Sequence, residues 1–342
     1  MLSIATVSVV LLMSLALPYV LRPLLARLGV VDVPNERSSH QSPTLRGFGL
    51  APLLAAAAGF VIVMFWLSES AGRATVGVIL AVAVASGLLG WVEDVRGIRV
   101  AFRATAQLLI GTAGAIAIAL LSANPWWLVP VFAIAIAAYI NVVNFMDGLN
   151  GISSLHGVVV GATYAVLGVL VELPWLTMAG LILAVALAGF LPWNVFGERV
   201  FLGDVGSYFL GGCVAIVAVA AIVQGVVVLA VIGPLVIYLA DTGVTLVRRV
   251  LKGEPWYQAH RSHAYQRLTD YGHSHLQAAS AVSFASLLTA ALGLLSVYAV
   301  GVSFLLVGSC VLITIGGYFG YVAISGRVYR RGKSANEGIE TS

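Results

Sequence analysis

ATVGVILAVAVASGLLGWVEDVRGIR, residues 74–99, runs for 19 residues without a charge and then closes on two acids and two arginines. A bilayer's hydrocarbon core takes about 20 mostly apolar residues as a single helix. The stretch therefore reads as a membrane span whose polar end emerges into water. Similar runs lie at about 4–22, 48–67, 104–121, 126–143, 157–171, 175–192, 206–223, 226–247, 278–299 and 301–324, which makes eleven spans. The runs are continuous rather than alternating, which excludes a transmembrane barrel. The fold expected is an all-α polytopic membrane protein of about eleven helices.

Composition agrees. Only 9% of the 342 residues are charged and 60% are hydrophobic, against about 25% charged in a soluble domain. A soluble enzyme is excluded. So is a nucleic-acid binder, because the net charge of +4 is scattered over loops and makes no basic stripe. Cys213 and Cys310 sit inside apolar runs and offer neither a disulfide framework nor zinc spacing. No basic residue precedes the first span, which reads as a retained helix rather than a cleaved signal.

Lys and Arg set the orientation, since cytoplasmic loops carry their excess. With eleven spans, Arg73 alone of the 18 falls on one face. The crowded face is expected to be cytoplasmic, with the N-terminus periplasmic and the C-terminus inside. Of the acids only Glu69 and Glu172 fall outside, and all six histidines fall inside. Chemistry is therefore expected on the cytoplasmic side of one membrane domain, residues 1–324, in loops 32–47, 93–103, 144–156, 193–205 and 248–277. Residues 325–342 read as a polar, disordered cytoplasmic tail.

The loops are richer than topology requires. In DVPNERSSHQSPTLRGFG, residues 32–49, Arg37, His40 and Arg46 suit a phosphate. Glu93 and Asp94 stand together at a membrane boundary, where two acids are costly unless they bind a cation, pair with Arg96, Arg99 or Arg103, or exchange protons. NVVNFMDGLNG, residues 141–151, repeats a polar residue every third position, Asn141, Asn144, Asp147 and Asn150, on adjacent helix faces. Asp204 lies beside Gly203 just before a helix, placed to cap it or to ligate a divalent cation. Asp241, inside the ninth span, faces either a water-filled interior or Arg248. His260, Arg261 and His263 cluster as donors for a pyrophosphate or nucleotide. Carboxylates and amides without thiolates favour Mg²⁺ over zinc. A phosphate-bearing soluble donor would meet a lipid acceptor at the membrane surface.

In their order along the chain, DVPNERSSH, the acidic pair with Arg103 and Gln107, NFMDGLNG, Asn194 ahead of FLGD, Pro234 with Asp241 and Arg248-Arg249, and HRSHAYQR resemble the polyprenyl-phosphate N-acetylhexosamine-1-phosphate transferases, glycosyltransferase family 4, and lean toward the O-antigen-initiating branch. The resemblance covers nearly the whole chain. It departs from the family pattern at Glu93, where Asp is usual, at Asn150, at Phe48 and in NVFGERV, which lacks Pro-Ala.

The resemblance implies transfer of an N-acetylhexosamine-1-phosphate from a UDP-sugar to undecaprenyl phosphate in the bacterial inner membrane. UMP would be released, and O-antigen or a related surface polysaccharide would begin. Mg²⁺, with Mn²⁺ as a substitute, is implied at Asp204 and Asn144. Glu93, Asp94, Asp147 and Asp204 are the implied catalytic carboxylates. Implied substrate contacts are Asn150, Asn194 and Phe201, with Phe201 stacking on uridine, then Arg103 toward the acceptor phosphate and His260, Arg261 and His263 toward the donor. The family also admits a homodimer. The sugar stays open. The rival reading is a multi-span transporter of a polar or phosphorylated solute. Transporters place ionisable residues near the bilayer midplane in broken helices, whereas these gather in loops on one face.

Overall fold

A computed structural model describes residues 2–32, 44–122, 125–196, 200–254 and 261–340. Its elements, in order, are α1 (Leu2–Leu28), β1 (Val31–Asp32), β2 (Thr44–Leu45), α2 (Leu50–Trp66), α3 (Ser70–Arg96), α4 (Val100–Ser122), α5 (Leu128–Met146), α6 (Ile152–Leu170), α7 (Pro174–Phe196), α8 (Gly203–Val223), α9 (Val228–Ile232), a 3₁₀ turn (Gly233–Leu235), α10 (Val236–Leu251), α11 (Ala264–Asp270), α12 (His275–Leu295) and α13 (Val302–Glu340). Among the described residues ten helical segments are long and apolar enough to cross a membrane, α9 through α10 counting as one. The 17-residue α2 is the eleventh apolar helix. The short β1 and β2 pair antiparallel, Val31 opposite Leu45.

Burial orders the bundle. The apolar window of α8 is 94% buried, whereas that of α13 is 11% buried. A helix apolar on every side belongs in the middle, and α8 fits there because Gly211, Gly212 and Ala215 keep it thin against α5 and α3. Small residues also let α6 and α7 touch backbone to backbone, at Gly161 and Gly180.

Two expectations change. The ninth span is not one helix: Pro234 has no N–H to donate, and the chain breaks into α9, the 3₁₀ turn and α10. The last helix does not stop near residue 324 but continues to Glu340, so the segment expected as a disordered tail is helical up to that point. Past the hydrocarbon, nothing in residues 325–340 breaks the turn except Gly326, Gly332 and Gly338, and there is no proline.

Candidate active site

The site is assembled where α3, α5, α7 and α10 end and α4, α6, α8 and α11 begin, and α8 sets its geometry. Gly203 precedes Asp204 at φ +73°, a conformation L side chains rarely adopt. An added Cβ there would lie 2.7 Å from Asp94 Oδ2. Gly90 of α3 meets the Asp204 carbonyl so closely that any side chain would collide with it. That approach lets Asp94, one turn on, reach across. The N–H groups of Asp204 and Val205 donate to Asp94 Oδ1 and Oδ2 at 3.1 and 2.9 Å. Asp94 thus caps α8 from a neighbouring helix, supplying acceptors to two of the first-turn donors that a helix leaves unpaired. Arg46 Nε stands 3.6 Å from the same carboxylate, which ties the first loop to the second.

From α5, Asn144 Nδ2 donates to Asp204 Oδ1 at 2.5 Å and to Ser207 Oγ at 3.1 Å. One turn earlier, Asn141 Nδ2 donates to Gln107 Oε1 and to the Ala137 carbonyl. Asp147 follows at the C-cap of α5. Burial pushes its carboxyl up to about 8, the charges of Asp204 and Asp94 add to the rise, and the Ser153 hydroxyl opposes it.

The loop from Asp147 to Ile152 is held by three partners. Asn194 Oδ1 accepts from Gly151 N–H at 2.8 Å and from Ser154 Oγ at 3.1 Å, while its Nδ2 donates to the Val200 carbonyl at 3.0 Å. Tyr238 Oη donates to the Ile152 carbonyl at 3.1 Å. Tyr265 Oη donates to the Phe145 carbonyl at 2.9 Å, over Gly148, whose missing Cβ makes room for that hydroxyl.

Glu93, beside Asp94, points elsewhere. Its Oε2 accepts from Ile98 N–H at 2.9 Å and its Oε1 meets Arg103 at 3.4 Å, both side chains partly exposed. Arg261 is half-buried against Asp270 and Thr269, at 3.2 and 3.1 Å. Phe201 and Asn150 are half-buried. His260, Arg37 and His40 lie outside the described residues.

The structure therefore brings together residues from all five loops, but not in equal roles. Asp204, Asn144 and Asp147 converge, with Glu93 and Arg103 beside them. Asn194 is only 5% exposed and its three hydrogen bonds all serve the protein. The His263 ring is buried, 3.2 Å from Asp241, and does not stand beside Arg261 as a free donor. Asp241 faces neither a water-filled interior nor Arg248: it accepts the N–H groups of Ala264 and Tyr265. His156 is not a loop residue. It lies buried in α6, stacked on Tyr238 at 3.6 Å with Nε2 2.8 Å from Tyr139 Oη. The sequence reading missed Ser207, Tyr238 and Tyr265; Ser207 and Tyr265 belong to FLGDVGS and HRSHAYQR, and the only signal was a polar or aromatic residue one turn from a residue already marked.

Among the described residues no group of three His, Cys, Asp or Glu side chains forms a ready-made metal cage. Mg²⁺ needs none, being held through one or two carboxylates together with substrate phosphates. Asp204, Asp147 and Asn144 are oxygen donors of that kind. Burial raises Asp147 most, and the repulsion from Asp204 and Asp94 that adds to it is what a divalent cation would relieve.

Residues 76–222 match the family model described as glycosyl transferase family 4. A probable undecaprenyl-phosphate N-acetylglucosaminyl 1-phosphate transferase of Bacillus subtilis (strain 168) is 24% identical over 269 residues, covering 73% of this chain and 72% of that protein. A decaprenyl-phosphate N-acetylglucosaminephosphotransferase of Mycolicibacterium smegmatis is 27% identical over 300 residues, covering 75% and 73%. A phospho-N-acetylmuramoyl-pentapeptide-transferase of Staphylococcus epidermidis is 38% identical over 79 residues, 23% of this chain and 25% of that protein. The matched segment is less than half of the chain and contains Glu93, Asp94, Asn144, Asp147 and Asp204; over it the chain is similar to glycosyl transferase family 4, and over about three quarters of its length to the two polyprenyl-phosphate transferases just named.

Proposed function

We propose that the protein transfers an N-acetylhexosamine-1-phosphate from a UDP-sugar to undecaprenyl phosphate on the cytoplasmic side of a bacterial inner membrane. The product would start O-antigen or a related surface polysaccharide. The observation that carries this reading is the convergence of Asp204, Asn144 and Asp147 at the polar end of a membrane bundle, with Arg103 beside them. The relatives' names add polyprenyl-phosphate acceptors and N-acetylglucosamine-1-phosphate as the group moved. The Lys and Arg asymmetry favours the cytoplasmic side.

In this reaction an acceptor phosphate oxygen bonds to the β-phosphorus of the donor, and the bond from that phosphorus to the bridging oxygen breaks, releasing UMP. Positioning and charge neutralisation supply most of the catalysis in phosphoryl transfer. Mg²⁺ would neutralise the donor's pyrophosphate, held by Asp204 with Asn144 and Asp147. Arg103 would take the acceptor phosphate, its guanidinium already steadied by Glu93. A proton on that phosphate would pass to Glu93 or Asp147, Asp94 being engaged by the first turn of α8. Arg261, with His260, would face the donor, and Phe201 would stack on uracil. Asn194 would act on the donor only through the loop it holds.

A transporter also uses broken helices, and the break at Pro234 is one. The carboxylate nearest that break, Asp241, is consumed by backbone N–H groups, which leaves it no capacity to carry a solute. The test is a donor labelled with ³²P in its β-phosphate, mixed with undecaprenyl phosphate and Mg²⁺. Label moving into the lipid phase supports sugar-phosphate transfer. Label remaining in UDP while the sugar moves, or solute uptake into vesicles without any transfer, would sink it.

A further inference from the structure

Asp241 has no place in the chemistry above, yet it is the most heavily hydrogen-bonded side chain described. It is fully buried in α10. Its Oδ1 accepts from Ala264 N–H at 2.9 Å, with His263 Nδ1 at 3.2 Å and Thr245 Oγ1 at 3.4 Å. Its Oδ2 accepts from Tyr265 N–H at 3.0 Å and from Tyr318 Oη of α13 at 2.7 Å. A buried carboxylate is expensive unless its lone pairs are filled, and these are filled by three separate elements.

We infer that Asp241 and Tyr318 are positioning residues: together they latch the start of α11 to α10 and α13, and so fix Tyr265 over the loop that carries Asp147. The path is continuous. Tyr318 donates to Asp241, Asp241 accepts from the backbone of Tyr265, and Tyr265 Oη donates to the Phe145 carbonyl, two residues before Asp147. Arg261 rides on the same short helix through Thr269 and Asp270. The outermost helix, α13, thereby reaches the active-site loop although it contributes no residue to it. An Asn at 241 would turn one acceptor oxygen into a donor facing backbone N–H groups, which predicts a worse outcome than loss of the Tyr318 hydroxyl alone.

The inference rests on the transfer reading for its kinetic arm and has a second arm that does not. Tyr318→Phe, Tyr265→Phe and the double variant are purified in detergent alongside Tyr329→Phe, a substitution on α13 that keeps the ring contact with Tyr271 at the other end of α11 and removes only a hydroxyl. Hydrogen exchange is followed over residues 261–270, with α8 as internal reference. The latch predicts that Tyr318→Phe speeds exchange there about ten-fold while α8 and Tyr329→Phe stay as in the wild type. Unchanged exchange in 261–270, or an equal rise in α8, overturns it. In the kinetic arm, Tyr318→Phe should raise the KM for the UDP-sugar about five- to ten-fold, and the double variant should do no worse than the weaker single one. A fall in kcat at constant KM, tracking lost folded protein, or multiplicative losses in the double variant, would overturn the coupling. A wild type that exchanges as described but transfers nothing would count against the proposed function and leave the latch standing.

Discussion

Asp94 and Asp241 solve the same problem in the same way. Each is a carboxylate buried in a membrane helix, and each accepts the two first-turn N–H groups of a helix that follows it in the chain. Asp94 and Asp241 are thereby committed to backbone N–H groups, and Asp204 and Asp147 are the carboxylates proposed to hold the cation. Asp204→Asn should therefore lower transfer by at least about a thousand-fold while leaving α8 folded, as judged by thermal unfolding in detergent.

Asp147 gives a sign that can be worked out. Its carboxyl is at about 8 in the folded protein against an ordinary 3.8, so the folded state holds the proton more tightly than the unfolded one. The contribution of Asp147 to metal-free stability is fully present below about pH 4 and is lost as pH rises toward 8. In EDTA, Asp147→Asn should accordingly unfold at a higher temperature than wild type at alkaline pH, and the difference should shrink toward pH 5. A difference that grew on acidification would show the sign to be wrong. Asn194→Ala strands Gly151 N–H and the Val200 carbonyl, at about 1–3 kcal/mol for each buried partner. Urea or thermal unfolding should register that loss, with activity falling through the loop rather than through the KM for uridine alone.

At the scale of elements, α8 is placed by glycines. Gly90→Ala would drive a Cβ into the Asp204 carbonyl, and overpacking of this kind costs about 1–3 kcal/mol. Gly243→Ala meets nothing within 4 Å and should be silent in the same unfolding experiment. Equal effects from the two would mean that the α3–α8 contact does not set the site.

The elements were legible because an apolar run in lipid has one outcome: every backbone group must be paired internally, so the run becomes a helix. All eleven apolar runs are helical, ten of them long enough to cross a membrane, with α2 shorter and the ninth broken at Pro234. What hid was tertiary. The break at Pro234 was visible as a proline, but not as the device that turns Asp241 toward α11. The roles of Asn194, Asp94 and His263 were unreadable for the same reason: a polar residue near a motif looks like a ligand contact until its partners on other helices are known. Asp204, Asn144 and Asp147 were marked by motifs at the ends of their own helices, but their meeting is tertiary too: Asn144 reaches Asp204 across 60 residues of chain.

For the whole molecule, two asymmetries align. Counted by the eleven expected spans, only Arg73 of the 18 cationic residues falls on the face opposite the site's loops, and the carboxylates follow with the exceptions of Glu69 and Glu172. Single-cysteine labelling in a background without Cys213 and Cys310 should show positions 69 and 172 reactive from the periplasm, and positions 254 and 270 only after the membrane is opened. The reverse pattern would put the site outside, away from any supply of nucleotide sugar.

The most direct measurement is UMP release by the purified protein in detergent with undecaprenyl phosphate and Mg²⁺, across a panel of UDP-N-acetylhexosamines, with Asp204→Asn alongside. The account predicts release with at least one donor, abolished by EDTA and by Asp204→Asn. Release that persists in the variant would contradict the place given to Asp204, and no release with any donor, together with no binding of UMP, would contradict the account as a whole.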